Sequence, residues 1–147
     1  MPVLIDTNIL VRAVERSHPL MRTARWALLA LVRNGEELCV TPQNIAEFWN
    51  VCTRPVNLNG LGNSITATDK LASRIETFFT VLPDSMEAFR IWRRLIVEHE
   101  VRGAKVHDAR LAAIMQAHDI RKILTFNTGD FKRFPHLVAL HPTELAP

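Results

Sequence analysis

The chain has 147 residues, 48% of them hydrophobic, with a formal net charge of +3 and a pI near 9.3. A chain of that length buries about two-thirds of its unfolded surface and fits one domain, expected over residues 1–147. Five glycines and eight prolines leave little room for low-complexity linkers. The longest apolar run, Trp26 to Val32, is far short of the ~20 residues of a membrane span.

The N-terminus has no basic segment leading into an apolar core of the secretory kind. Cys39 and Cys52 make no disulfide framework, so two buried thiols in a cytoplasmic protein are expected. Basic residues cluster at Arg90/Arg93/Arg94, Arg102/Lys105 and Lys132/Arg133. Such clusters suit a polyanionic partner and equally a solvated helix face.

Along the chain, Val3–Ile5 reads as a buried strand that ends on Asp6, after which Asn8–Val14 switches to helical spacing. Leu20, Ala24, Leu28, Leu31 and Val32 mark a second helix, closing near Asn34-Gly35 where glycine suits the C′ position. Leu10, Val14, Leu29 and Val32 of these first two helices serve either a dimer face or the core. Leu38–Val40 is a short strand, and Thr41-Pro42 opens a third helix as N-cap and first residue. Its apolar face is Ile45, Phe48, Trp49 and Cys52, with Asn44 and Glu47 on another face.

Arg54–Asn63 is the long irregular segment. Thr66–Asp69 reads as a capping-box variant starting a helix that runs to about Phe79. Val81–Pro83 is a minimal strand. Asp84 with Glu87 starts a helix whose Met86, Phe89, Trp92, Leu95 and Ile96 are expected inside. Val106–Arg110 begins another helix, Ile123–Phe126 is a strand, Asn127–Phe131 a turn, and Leu137–Leu140 an edge strand. Strands alternating with helices predict an α/β fold with a parallel sheet covered on both faces.

Four acids occupy related places in that alternation. Asp6 follows the first strand, Asp130 lies beyond the strand ending at Phe126, and Glu47 and Asp108 sit early in their helices. Helices antiparallel to the strands begin at the edge where strands end, so all four share one crevice. Each also has a structural reading: Asp6 and Asp108 as N-caps, Glu47 as a solvated residue, Asp130 as a turn residue. One carboxylate pair ~4 Å apart repels by about 4 kcal/mol at an effective dielectric near 20. No lysine or arginine is committed to the cluster by sequence, so protons or cations are expected to neutralise it. Oxygen ligands select Mg2+ or Mn2+ over zinc, and two such ions activate a water against a phosphodiester without a covalent intermediate.

Four stretches in order, Leu4–Leu10, Asn44–Phe48, His107–Arg110 and Leu124–Phe131, resemble the motifs of PIN domains. Among these the chain is most similar to the VapC-type toxins of bacterial toxin–antitoxin pairs. The resemblance implies a three-layer α/β/α fold with a central parallel sheet of four to five strands, the first and fourth adjacent. It implies a Mg2+- or Mn2+-dependent endoribonuclease, a homodimer acting on RNA and silenced by a protein antitoxin. Asp6, Glu47 and Asp108 match the metal-binding acids, and Thr7, Asn8 and Thr125 the polar residues behind them. Where many PIN domains have Asp, this chain has Asn127, a carbonyl ligand without charge, and Asp130 stands as the acid that supplies it. One or two ions are therefore both open. Arg110 and Arg54 are the candidate substrate-binding residues.

Three other readings compete with this one. A PIN nuclease of RNA processing or of DNA differs only in loops and basic clusters. A binding module with a weakened site would cleave nothing even with Mn2+ present. A phosphoacceptor receiver domain needs an acidic pair at the first strand and a late lysine, which Asp6 and Thr125–Asn127 do not offer. His107 is expected to be structural, since neighbours one apart on a helix point different ways.

Overall fold

The computed structural model describes residues 1–145 and contains five strands: β1 (Pro2–Ile5), β2 (Glu37–Val40), β3 (Thr80–Val81), β4 (Lys122–Leu124) and β5 (Val138–Leu140). The expected domain's last two residues, 146–147, lie outside the described residues. All strand pairs are parallel, in the order β3-β2-β1-β4-β5. Leu4 of β1 lies opposite Cys39 on one side and Ile123 on the other. The first and fourth strands are thus neighbours, and Val138–Leu140 forms the expected edge.

The sheet's centre explains the apolar run that begins the chain. Val3, Leu4 and Ile5 are fully buried because both faces of the sheet are covered. Successive side chains take opposite faces. Leu4 packs with Ile91, Leu95, Ala112 and Met115 of α5 (Met86–Glu98) and α6 (Lys105–Ala117). Val3 and Ile5 pack with residues of α1 (Thr7–Val14), α2 (Met21–Arg33), α3 (Pro42–Thr53) and α4 (Ile65–Phe78). Each such buried aliphatic side chain stabilises the fold by roughly 1.5–3 kcal/mol.

Local chemistry sets the helix ends. Gly35, at φ +77°, ends α2: its N–H donates to Val32 and that of Glu36 to Leu31. At the start of α3, the Thr41 hydroxyl accepts from Asn44 N–H while the Asn44 side chain accepts from Thr41 N–H. Two expected starts move. Ser64, not Thr66, caps α4, accepting from Ala67 N–H at 3.1 Å, which places Thr66 and Asp69 inside the helix. Ser85, not Asp84, caps α5, accepting from Ala88 N–H at 3.0 Å.

The buried face of α5 differs in part from expectation. Leu95 is buried, and Trp92 and Ile96 pack against the core as expected, but Ala88 and Ile91 complete that face, whereas Met86 is 63% and Phe89 46% exposed. In α1 and α2, Leu10 belongs to the core, while Leu29 and Val32 are exposed. The segment 54–63 is ordered by its backbone around a 3-10 turn at Val56–Leu58. Leu61 N–H donates to Val51 and Asn63 N–H to Cys52. Gly60 is required there, since a Cβ would fall 1.9 Å from the Arg54 carbonyl oxygen. Cys39 and Cys52 are buried and free, and burial pushes both thiols up to about 11. Among the described residues no helix is long and apolar enough to cross a membrane.

Candidate functional site

At β1 the sheet changes direction of growth, with β2 on one side and β4 on the other. Ligand crevices of open α/β sheets lie beyond the strand ends at such a point. Asp6 stands there, its N–H donating to Leu124 of β4 at 3.0 Å. Its two carboxylate oxygens do different things. Oδ1 accepts from Thr7 N–H at 2.7 Å and serves the start of α1, while Oδ2 accepts from the Thr125 hydroxyl at 2.8 Å. The capping reading and the crevice reading of Asp6 therefore describe two oxygens of one group.

A polar frame fixes Asp6. Thr125 Oγ1 accepts from Asn8 Nδ2 at 3.1 Å and from Asn127 N–H at 3.0 Å, which directs its one proton to Asp6. Asn8 Oδ1 accepts from Phe126 N–H at 3.2 Å. Thr7 Oγ1 accepts from the fully buried Asn44 at 3.1 Å, which ties the start of α1 to that of α3. Buried neutral donors hold the carboxylate in place without cancelling its charge.

Burial pushes the Asp6 carboxyl up to about 6, the bonds from Thr125 and Thr7 pull it back, and Glu47 and Asp108 push it up further. The Asp108 carboxyl is likewise raised, first by burial and then by Asp130, against the pull of Lys105, with Glu47 adding to the rise. The fold thus brings Asp6, Glu47 and Asp108 within electrostatic reach of one another, from β1, α3 and α6. Asp108 does not cap α6, whose N-cap Ala104 makes no side-chain bond.

Two residues of this edge escaped the sequence reading. Gln43 Nε2 donates to Glu47 Oε1 at 2.8 Å and to the His107 carbonyl at 3.0 Å, joining α3 to α6. Its own Oε1 is buried without a partner among the described residues. The signal was its position one turn before Glu47. The second is Lys105, and it corrects the expectation that no cation is committed here. Its Nζ lies 2.6 Å from Asp130 Oδ1 and 3.9 Å from Asp108 Oδ2. The spacing of three from Lys105 to Asp108 could have revealed it.

Asn127 is exposed beside this pair, and Asp130 lies in a 3-10 turn, Thr128–Phe131. Arg110 and Arg54 do not join the acids. Arg110 reaches Asp84 at 3.3 Å, and Arg54 donates to the Asn59 carbonyl at 3.0 Å within its own loop. His107 meets Gln43 through its carbonyl, and its side chain lines a largely apolar groove of about 470 Å³ between α5 and α6, with Phe89, Trp92 and Arg110.

Among the described residues no three His, Cys, Asp or Glu side chains already close around one point. The donors at the edge are carboxylate oxygens with an amide beside them, and among the described residues Asp6 and Glu47 have no basic partner. In donor type and uncompensated charge this set suits a hard divalent cation, not zinc.

Known proteins resemble this chain in sequence and in fold. The sequence profile of the PIN domain family matches residues 3–137. "Ribonuclease VapC" of Rickettsia bellii is 28% identical over 142 residues, covering 95% of this chain and 96% of that protein. Two solved structures share the fold. One is VapBC2 from Rickettsia felis bound to a promoter DNA fragment, at TM-score 0.74 and 18% identity, covering 96% of this chain and 98% of that one. The other is a toxin–antitoxin complex from Klebsiella pneumoniae, at TM-score 0.65 and 20% identity, covering 95% and 97%.

Proposed function

The chain belongs to the PIN domain family, and on that premise we propose that it is a Mg2+- or Mn2+-dependent endoribonuclease, the toxin of a toxin–antitoxin pair. The observation that carries this reading is that Asp6, Glu47 and Asp108, at the edge beyond β1 and β4, act on one another electrostatically. PIN-domain ribonucleases use divalent metal ions, and these three acids would hold one here, with the Asn127 carbonyl as a further donor beside them. Such an ion, when bound, would supply polarisation of a scissile phosphate and a lowered pKa for the attacking water.

The chain's own groups orient that chemistry. The Thr125 hydroxyl and Thr7 N–H fix both oxygens of Asp6, and Asn8 fixes Thr125. Gln43 aims Glu47 and couples it to the helix that carries Asp108. The hydrolysis needs no covalent enzyme intermediate. RNA as substrate is supported by the ribonuclease from Rickettsia bellii. A protein antitoxin as partner is supported by the complex from Klebsiella pneumoniae. A homodimer acting in the cytoplasm completes the proposal.

Cleavage of a mixed RNA pool by purified protein with Mg2+, Mn2+ or EDTA tests it. Cutting with metal, abolished by EDTA and reduced at least about 100-fold in Asp108→Asn, is the expected result, on the scale of removing one electrostatic group from an active site. A folded, antitoxin-free protein that cuts nothing with either metal would overturn it.

A further inference from the structure

The acids of the edge fall into two sets. Asp6, Glu47 and Asp108 influence one another, and among the described residues neither Asp6 nor Glu47 has a lysine or arginine partner. Asp108 and Asp130 form a second set, and the Lys105 ammonium stands between them, 2.6 Å from Asp130 and 3.9 Å from Asp108. Asp108 therefore belongs to both, one of its oxygens turned toward the lysine.

A second divalent ion would have to sit between Asp108 and Asp130, because Asn127 brings no charge there. That is the place of the ammonium. Lys105 begins α6 and is thus carried by the helix that bears Asp108 one turn later, so the positive charge is tethered to the acid it serves. A compact ammonium with several donors can satisfy two carboxylates as a point charge. A dication entering the same space would meet the ammonium's like charge at short range, a repulsion that solvent screens without removing.

Resting on the nuclease reading above, we propose that Lys105 occupies the place of a second metal ion, so that the site takes a single divalent cation, held by Asp6, Glu47 and Asp108. Asp130 then serves as the anchor of Lys105 and not as a ligand of that ion. The tethered charge remains beside the ion-bearing acids whatever the metal concentration.

Counting bound Mn2+ by the loss of the free-ion electron paramagnetic resonance signal tests this on the intact chain. The wild type binds one Mn2+ per chain. Lys105→Ala and Lys105→Gln each gain a second, weaker one, and Lys105→Arg stays at one. Asp130→Asn in the wild-type background keeps the single ion with its affinity changed by less than about three-fold, a shift small against ordinary ligand effects. The double variant Lys105→Ala/Asp130→Asn returns to one. Two ions in the wild type, or one in both Lys105 variants, overturns the proposal while leaving a metal-dependent nuclease intact. No Mn2+ bound by the wild type overturns both readings together.

Discussion

The two halves of the acidic edge solve the same problem differently. On the inner half, Asp6 is surrounded by neutral donors, a threonine hydroxyl at 2.8 Å and a backbone N–H at 2.7 Å, and two further carboxylates act on it. On the outer half, Asp130 has an ammonium at 2.6 Å. Neutral hydrogen bonds orient a charge without removing it, whereas an ion pair removes it. The inner half is consequently kept negative at the expense of stability, as sites built to receive a cation are. The outer half is already neutralised by the chain.

Substitutions can break that contrast. Glu47→Gln has the largest expected effect: RNA cleavage falls at least about 100-fold. The metal-free melting temperature holds or rises, because one charge repelling Asp6 is gone. A parallel loss of activity and folding would show that Glu47 is structural. Next, Asn44→Ala strips the frame behind Thr7 and leaves buried partners unpaired. Urea unfolding is expected to report a loss of about 2–3 kcal/mol.

Thr125→Val keeps the shape and deletes the hydroxyl that donates to Asp6. Mn2+ affinity by calorimetry is expected to drop about 10–100-fold, as for other groups that orient a metal ligand. The smallest effect belongs to the outer half. Lys105→Gln leaves the metal-free melting temperature nearly unchanged, since an exposed ion pair contributes little to stability.

What could be read in advance follows the physics of each element. β1 was legible because Val3, Leu4 and Ile5 are buried on both faces and carry no competing signal. The start of α3 was legible because Thr41-Pro42 specifies cap and first turn together. The common edge of the acids followed from strand and helix polarity. The face of α5 was legible only in its second half, at Trp92, Leu95 and Ile96; in its first half large Met86 and Phe89 suggested the inward side, while the core accommodates Ala88 and Ile91. Ser64, two positions before Thr66, and Ser85, one position after Asp84, outcompeted the expected caps at α4 and α5. Lys105 was only half legible: its spacing of three from Asp108 was a signal, but its shorter contact, with Asp130, spans 25 residues that only the fold brings together.

The most direct test compares thermal melts of the wild type and Asp6→Asn between pH 5 and 7.5, with EDTA or Mn2+. The folded carboxyl titrates at about 6 against 3.8 in the unfolded chain. The native state therefore binds more protons in that window, and stability falls as pH rises through it. Above pH 6 the cost reaches up to about 3 kcal/mol. With EDTA at pH 7.5, Asp6→Asn should melt several degrees above the wild type, and the gap should shrink toward pH 5. Mn2+ should raise the wild type past the variant and leave the variant where it was. A wild type whose melting temperature ignores both pH and Mn2+ would contradict the claim that the inner half is held open for a cation.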